Sequence, residues 1–288
     1  MQKITLSLLT LLLVSGICAA QQKTTPDTAQ PPVYGWKQSL VTGLTLTQVS
    51  FTDWAQGGDN ALAYTFSAAG KSEDDEQTTN WANTYKFAFG QTRLGTQGLR
   101  KTDDIIDISS VFTYKLNTYV NPYVSANLKT QFAKGYMYDG DGNSTEVSKF
   151  FDPAYLMQTA GVGYQPVKEV KTRLGVGLRE IVTQDFNQYA SDPATHDTVK
   201  TRVDGGLESA TDVNWPLDTN LLLTSDLELF SPFKTMDQIV VRGGITLTAK
   251  VNKYITTIVG AQFINERRIT PRTQIKEGIS LGLSYTIF

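Results

Sequence analysis

Apolar residues recur at every second position along most of the chain after residue 36. In residues 170–179, for example, Leu174 and Leu178 share one face of an extended chain, whereas Arg173 and Arg179 share the other. A period of two is typical of β-strands that have one apolar and one polar face. The pattern predicts strands at about 38–50, 61–71, 79–91, 105–116, 121–133, 155–165, 170–179, 202–215, 220–229, 239–251, 254–265 and 278–287.

Each predicted strand is long enough to cross a bilayer, for which a tilted strand needs about 9–11 residues. Long and short connections mostly alternate, with one longer acidic connection, KSEDDEQTT at 71–79, on the short side. Long outer loops and short periplasmic turns are typical of bacterial outer-membrane barrels. Aromatic residues near strand ends, among them Trp36, Trp81, Tyr123 and Phe230, indicate their two girdles. We therefore predict an all-β protein: a closed antiparallel transmembrane β-barrel of about twelve strands.

The first residues are typical of an export signal. Lys3 precedes a short apolar run at 6–14, and the small residues Ala19 and Ala20 offer a cleavage site. Export through a cleaved signal peptide predicts the cell outer membrane as the location. The predicted organisation is a signal peptide at 1–20, a flexible periplasmic linker at 21–35 and the barrel at 36–288.

Composition excludes several classes of function. The formal net charge of −2 gives no basic surface for nucleic acid. Cys18 is the only cysteine and falls within the predicted signal, so we expect neither disulfides nor thiolate metal sites. His196 is the only histidine, and we interpret it as a solvated residue of an outer loop, because a nucleophile needs an adjacent base held by a third group. We predict no enzyme activity, no catalytic residues and no cofactor.

Charged residues on the polar faces of the strands are the candidate functional set. On the lipid face a Lys or Arg near the midplane would cost ~2–4 kcal/mol, so these side chains are expected to face the lumen, the space enclosed by the barrel. They either line a wet pore and set its ion preference, or pair with one another and fill a narrow barrel. The predicted lumen-lining residues are Lys171, Arg173, Arg179, Arg202, Asp204, Glu208, Asp226, Glu228 and Arg242.

One acidic turn resembles the start of a calcium-binding loop. Asp139, Asp141 and Asn143 place oxygen ligands at alternate positions. However, Ser144 replaces the expected glycine and Phe150 stands where a bidentate Glu belongs. We interpret the segment as a solvated turn, with calcium binding as the alternative.

Several short motifs resemble the "domain of unknown function 3078" family of exported proteins in Bacteroidota. The resemblance implies an outer-membrane barrel and supplies no activity and no catalytic residues. The motifs are FTDWAQGGDN at 51–60, NWAN at 80–83, KTDD at 101–104, FDPAYL at 151–156 and GVGY at 161–164.

These observations favour a narrow channel for small solutes or ions. The alternative is a plugged structural or binding barrel whose outer loops contact a partner; an outer-membrane lipid hydrolase and a soluble secreted β-protein are less favoured. The expected partners are outer-membrane lipid, small solutes and the barrel assembly machinery, toward which Phe288 supplies a terminal aromatic residue.

Overall fold

The computed structural model describes residues 34–50, 59–117, 120–191 and 198–286. Strands form nearly all of the regular structure in these ranges, together with one short 3-10 helix at Asn187–Tyr189. No helix in the described part of the chain is long and apolar enough to cross a membrane. The predicted signal peptide, most of the predicted linker and residues 51–58 lie outside the described residues.

Twelve antiparallel strands form a closed barrel, which confirms the predicted fold class. Around the ring the order is β1-β14-β13-β12-β11-β10-β9-β8-β5-β4-β3-β2, so that β1 and β14 close it. A separate hairpin, β6 with β7, lies within one connection. The strands are β1 (Gly35–Val49), β2 (Ala61–Asp75), β3 (Thr79–Leu94), β4 (Arg100–Tyr114), β5 (Val120–Thr130), β6 (Gly135–Tyr138), β7 (Ser144–Ser148), β8 (Ala154–Val167), β9 (Val170–Val182), β10 (Thr201–Asp218), β11 (Leu221–Pro232), β12 (Val240–Lys250), β13 (Ile255–Asn265) and β14 (Gln274–Thr286).

The connections differ in length between the two ends of the barrel. At one end, here called the short-turn end, the turns are as brief as residues 168–169 and 219–220. At the other, the loop end, connections run as long as residues 131–153 and 183–200. The predicted acidic connection at 71–79 is wrong, because β2 continues to Asp75, which pairs with Asn80 near the start of β3. Lys71, Glu73 and Asp75 of this segment lie on the inner face, where Lys71 pairs with Glu73 and Lys115 lies 2.7 Å from Asp75.

Side chains alternate between lipid and lumen along every barrel strand, because successive residues of an extended chain point to opposite faces. Residues that are opposite in register share a face, so the alternation continues from strand to strand. Large apolar side chains remain exposed on the outer face, as expected of a surface that contacts lipid hydrocarbon. This exposed belt includes Leu44, Phe66, Ile108, Val124, Val162, Leu174, Val176, Leu178, Val203, Leu207, Leu227, Ile245, Val259, Leu281 and Leu283.

Aromatic side chains form a ring on the outer surface at the short-turn end. Such rings are typical of the headgroup level, where the apolar ring of a Trp or Tyr contacts hydrocarbon and its polar N–H or O–H group contacts water and headgroups. Tyr123 and Phe230, which the sequence pattern also assigned to the girdles, instead face the lumen and are almost fully buried. The exposed ring comprises Trp36, Trp81, Tyr114, Tyr164, Trp215, Tyr254 and Tyr285.

A second aromatic cluster covers the outer surface near the loop end. The ring of Phe132 packs edge-on at 5.9 Å from Phe87 and 6.1 Å from Phe89, and at 6.5 Å from Phe150. The Asp104 carboxylate fixes the start of this loop, because it accepts hydrogen bonds from the backbone N–H groups of Phe132 and Ala133 at 2.6 and 2.9 Å.

The assignment of faces can be tested with two adjacent β-branched residues of β13. Val259 lies on the outer face and Ile258 on the inner face, opposite the uncharged Thr248 and Ser280. We expect Val259→Lys to lower the free energy of unfolding by ~2–4 kcal/mol, because it places an ammonium in hydrocarbon near the midplane. Ile258→Lys, the matched control, should cost much less; equal losses in urea titrations of the bilayer-inserted barrel would contradict the assignment.

Candidate functional site: the barrel lumen

All nine predicted lumen-lining residues lie on the inner face. The strand register relates them directly: Arg179 lies opposite Asp204, and Glu228 lies opposite Arg242. Glu208 lies opposite Gly175 on the same inner face. The nine predicted residues on this face are Lys171, Arg173, Arg179, Arg202, Asp204, Glu208, Asp226, Glu228 and Arg242.

Glu266 is the centre of a buried cluster near the loop end. Its carboxylate accepts hydrogen bonds from Arg179 at 2.8 Å, Arg242 at 3.2 Å and Arg268 at 2.9 Å. Arg179 reaches it from β9 across three intervening strands, so the contact crosses the lumen. Glu266 and Arg179 are only 1% and 4% exposed, and multiple charge-assisted bonds are needed to offset the cost of removing such charges from water.

Asp204 extends this cluster along β10. Its Oδ2 accepts a hydrogen bond from Arg202 Nε at 2.6 Å and lies 3.5 Å from Arg268 Nη1. The arginine–carboxylate cluster therefore contains four guanidiniums (Arg179, Arg202, Arg242, Arg268) and two carboxylates (Asp204, Glu266), a formal charge of 4 − 2 = +2.

The electrostatics of Glu266, which lies beyond the end of β13, follow from these contacts. Burial by itself opposes ionisation and would raise the pKa of the carboxyl. The guanidiniums of Arg179, Arg242 and Arg268 more than compensate and lower the pKa of Glu266 to about 2. The carboxylate is thus ionised at neutral pH and holds together arginines that would otherwise repel one another.

Further contacts cross the lumen on the same side. Lys129 Nζ on β5 lies 2.9 Å from Glu228 Oε2 on β11. The Tyr123 hydroxyl donates a hydrogen bond to Glu208 at 3.3 Å, with two strands between them in the ring. These pairs join opposite parts of the wall, so the side from β5 to β13 is filled by side chains.

Aromatic and apolar groups pack among these charges. The ring of Tyr155 on β8 lies under the guanidinium of Arg242, 4.8 Å from centroid to Cζ, a cation–π contact that also crosses the lumen. Met157, Phe230 and Val240 form a small buried apolar cluster beside it. Gly206 makes this packing feasible, since a Cβ there would meet Phe230 Cζ at 2.7 Å.

Nearer the short-turn end the inner-face side chains are accessible to solvent. Lys171 and Asp226 are exposed although they face inward. Arg173 forms an ion pair with Asp212 at 3.1 Å, and the Asp212 side chain keeps 55% of its accessible surface.

The opposite wall carries small side chains through its middle. These inner residues belong to β14, β1, β2 and β3, which are neighbours in the ring. Ala69 and Val41 are exposed on the inner face, unlike the buried residues across the lumen, and the exposed Lys86 interrupts the series on β3. We call this set the small-residue wall: Gly278, Ser280, Gly282, Ser284, Val41, Gly43, Thr45, Thr47, Ala63, Thr65, Ser67, Ala69, Thr84, Ala88 and Gly90.

The candidate calcium residues lie in the tip of the β6–β7 hairpin. Asp139 Oδ1 accepts hydrogen bonds from the backbone N–H groups of Asp141 and Asn143 at 3.0 and 2.8 Å, and Oδ2 accepts one from Asn143 Nδ2 at 2.9 Å. The hydrogen bonds from Asn143 lower the pKa of Asp139. Both carboxylate oxygens thus serve the turn itself, and the described residues contain no group of three or more His, Cys, Asp or Glu side chains placed to hold a metal. His196 lies outside the described residues.

Several residues of the lumen escaped the sequence analysis. Glu266 and Arg268 belong to a segment predicted as an outer loop, yet their side chains turn into the barrel. Lys129 and Tyr155 fell in the less regular predicted strands. The phase of β5 and β8 would have placed both on the inner face, but not against Glu228 or Arg242.

Comparison with known proteins agrees with the resemblance seen in the sequence. Residues 46–136 match the family described as "Protein of unknown function (DUF3078)". This confirms the resemblance over that part of the chain, which contains the motifs at 80–83 and 101–104. Curated protein sequences give no match.

Solved structures of similar architecture include two outer-membrane proteins. The translocator domain of the autotransporter NalP from Neisseria meningitidis is 11% identical, with 89% of this chain and 90% of that chain covered and a TM-score of 0.37. An outer membrane channel from Pseudomonas putida F1 is 10% identical, with 92% and 99% covered and a TM-score of 0.41. At these identities and TM-scores, no solute and no mechanism is transferred to this chain.

The role of Glu266 can be tested by neutralisation. Glu266→Gln leaves Arg179, Arg242 and Arg268 without their shared counter-charge, so we expect a loss of about 3–5 kcal/mol in the free energy of unfolding. Glu277→Gln, an exposed acidic residue of β14, is the matched control and should change stability little. Equal stability of the two variants in urea titrations would contradict a structural role for the cluster.

The lowered pKa of Glu266 also predicts an acid dependence. The folded value of about 2 lies below the unfolded value of about 4.3, so the stabilisation is fully present above pH 4.3. It should be lost progressively as the pH falls from about 4.3 toward 2. The unfolding midpoint of the wild type should therefore fall more steeply over this window than that of Glu266→Gln; parallel pH profiles would rule this out.

Proposed function

We propose that the protein is an outer-membrane channel with a narrow, off-centre path for ions and small polar solutes. The path follows the small-residue wall, and the arginine–carboxylate cluster and its neighbours confine it from the other side.

The distribution of side-chain size around the inner face carries this proposal. On the side from β5 to β13, Phe230, Arg179 and Glu208 are buried against partners from distant strands. On the small-residue wall, Ala69 and Val41 keep accessible surface although they face inward. A barrel filled by its own side chains has no reason to leave one side lined by Gly, Ala, Ser and Thr.

The cross-lumen ion pairs suit a constriction of fixed width. Each of the pairs Arg179–Glu266 and Lys129–Glu228 joins strands that are not neighbours in the ring, so a change in the cross-section would break buried charge pairs. Breaking such a pair by exposing one charge to the interior is costly. The filled side is therefore rigid, and passage depends on the space that remains beside it.

The path can be tested by narrowing it from the small-residue wall. Ala69 lies on the inner face of β2, opposite Val41 and Lys86, and the adjacent Ala68 lies on the outer face. Ala69→Trp should lower single-channel conductance in planar bilayers at least threefold, because the indole occupies the proposed path. Ala68→Trp places the same side chain in lipid and should leave conductance unchanged.

Two outcomes would overturn the channel. The first is a wild-type barrel that inserts correctly, with different gel mobilities before and after boiling, and yet shows no conductance. The second is equal conductance of Ala69→Trp and Ala68→Trp, which would place any path elsewhere. A silent wild-type barrel would favour the alternative of a plugged structural or binding barrel.

A further inference from the structure

The two strands that close the barrel are paired along only part of their length. Their paired residues run from Val41–Thr286 to Thr45–Gly282. Toward the loop end β1 continues through residues 46–49, which in this register lie opposite residues 278–281 of β14, but no pairs join these two segments.

The other edges of the same strands are fully paired over this stretch. β1 pairs with β2 as far as Val49–Ala61, and β14 pairs with β13 as far as Ile264–Gln274. The interruption therefore belongs to the β1–β14 seam alone and does not reflect fraying of either strand. We call it the seam gap: residues 46–49 of β1 and 278–281 of β14.

Accessibility agrees with an opening through the wall. On the outer side, Leu46 and Leu281 are each 62% exposed and Ile279 is 80% exposed. On the inner side, Thr47 and Gly278 are also exposed. In the paired part of β14, over residues 282–285, exposure alternates between inner and outer side chains.

The lining of the seam gap is uncharged where it joins lumen and lipid. Residues 44–49 read LTLTQV and residues 278–283 read GISLGL, which combine apolar outer side chains with small inner ones. Lys276 stands at the loop-end boundary, and its ammonium is held 2.9 Å from Asp103 on β4, across the lumen from the gap. This contrasts with the strongly charged wall from β9 to β12.

An apolar cavity lies against the paired part of the same seam. Its volume is about 550 Å³, and Leu44, Phe66 and Leu283 contribute to its lining. An apolar recess therefore lies beside the seam gap.

Backbone chemistry limits what this opening can be. Unpaired N–H and C=O groups that face hydrocarbon cost several kcal/mol each, so a permanently empty gap would be expensive. The register could close it without any slip, because the next opposed pairs are Leu46–Leu281 and Gln48–Ile279. The edges thus have one closed arrangement and one open arrangement.

We propose that the seam gap is a lateral opening through which a small, neutral, largely apolar molecule passes between the lumen and the hydrocarbon of the membrane. A charged solute would lose its hydration there without gaining a counter-charge. This function is distinct from the axial path and does not depend on it, since the seam can open whether or not ions cross the barrel.

The state of the seam can be measured with two matched cysteine pairs. Leu46→Cys with Leu281→Cys spans the gap, and Leu44→Cys with Leu283→Cys spans the paired part of the same strands, one pleat away on the same face. In the membrane-inserted full chain under mild oxidation, the control pair should form its disulfide at least tenfold faster. Equal rates would show a closed seam and overturn the proposal.

Pairing of the gap edge with a second copy of the chain is a different outcome. Leu46→Cys alone would then give a disulfide-linked dimer under the same oxidation. That result would assign the edge to an interface and overturn the lateral opening.

Passage itself can be followed with N-phenyl-1-naphthylamine, a neutral apolar dye that fluoresces when it enters hydrocarbon. Cells that carry the gap pair should take up the dye at least threefold more slowly after prolonged oxidation has locked the seam, and a reductant should restore the rate. The control pair should show no change, and KCl conductance in bilayers should stay the same for both. Unchanged uptake across a fully locked seam would overturn the proposal without affecting the axial channel.

Discussion

The constraint on which the structure depends is that backbone N–H and C=O groups have no water to bind within hydrocarbon. Each strand must therefore have a partner on both edges, and the sheet must close on itself. Twelve antiparallel strands satisfy this requirement almost completely. Closure also fixes the two faces, because residues opposite in register point the same way around the whole ring.

Inside that ring the side chains divide the lumen unequally. The side from β5 to β13 contains ions whose removal from water is offset by contacts from distant strands, with Glu266 bonded to Arg179, Arg242 and Arg268. A single buried charge without its partner would be costly, so the loss of any one member destabilises the whole cluster. Among the described residues the small-residue wall shows no such network, and the proposed axial path runs beside it.

The seam between β1 and β14 is a place where both strands continue after their pairing stops. It lies at the edge of the small-residue wall, where inner side chains such as Gly278 and Ser280 leave little to obstruct passage. Rigidity from the ion pairs and openness at the seam are properties of opposite sides of one barrel.

The sequence by itself determined the strands and their faces, because a period of two is a local property of an extended chain. It placed Arg173, Arg179 and Glu228 on the polar face without knowledge of any partner. The sequence analysis failed where alternation alone did not show whether a residue contacts lipid, the lumen or solvent. The acidic end of β2 was taken for a connection, and Tyr123 and Phe230 were assigned to the girdles although both are buried in the lumen.

Only the tertiary structure decided which charges meet. Arg179 lies opposite Asp204 in register, but its closest ion pair is with Glu266, which lies more than eighty residues away, with three strands between β9 and β13 in the ring. Such contacts depend on the curvature of the closed sheet and on the path of a loop, and neither leaves a periodic signal in the chain. The same holds for the seam gap, since strand length is local whereas the extent of pairing between the first and last strands is set by how the whole barrel closes.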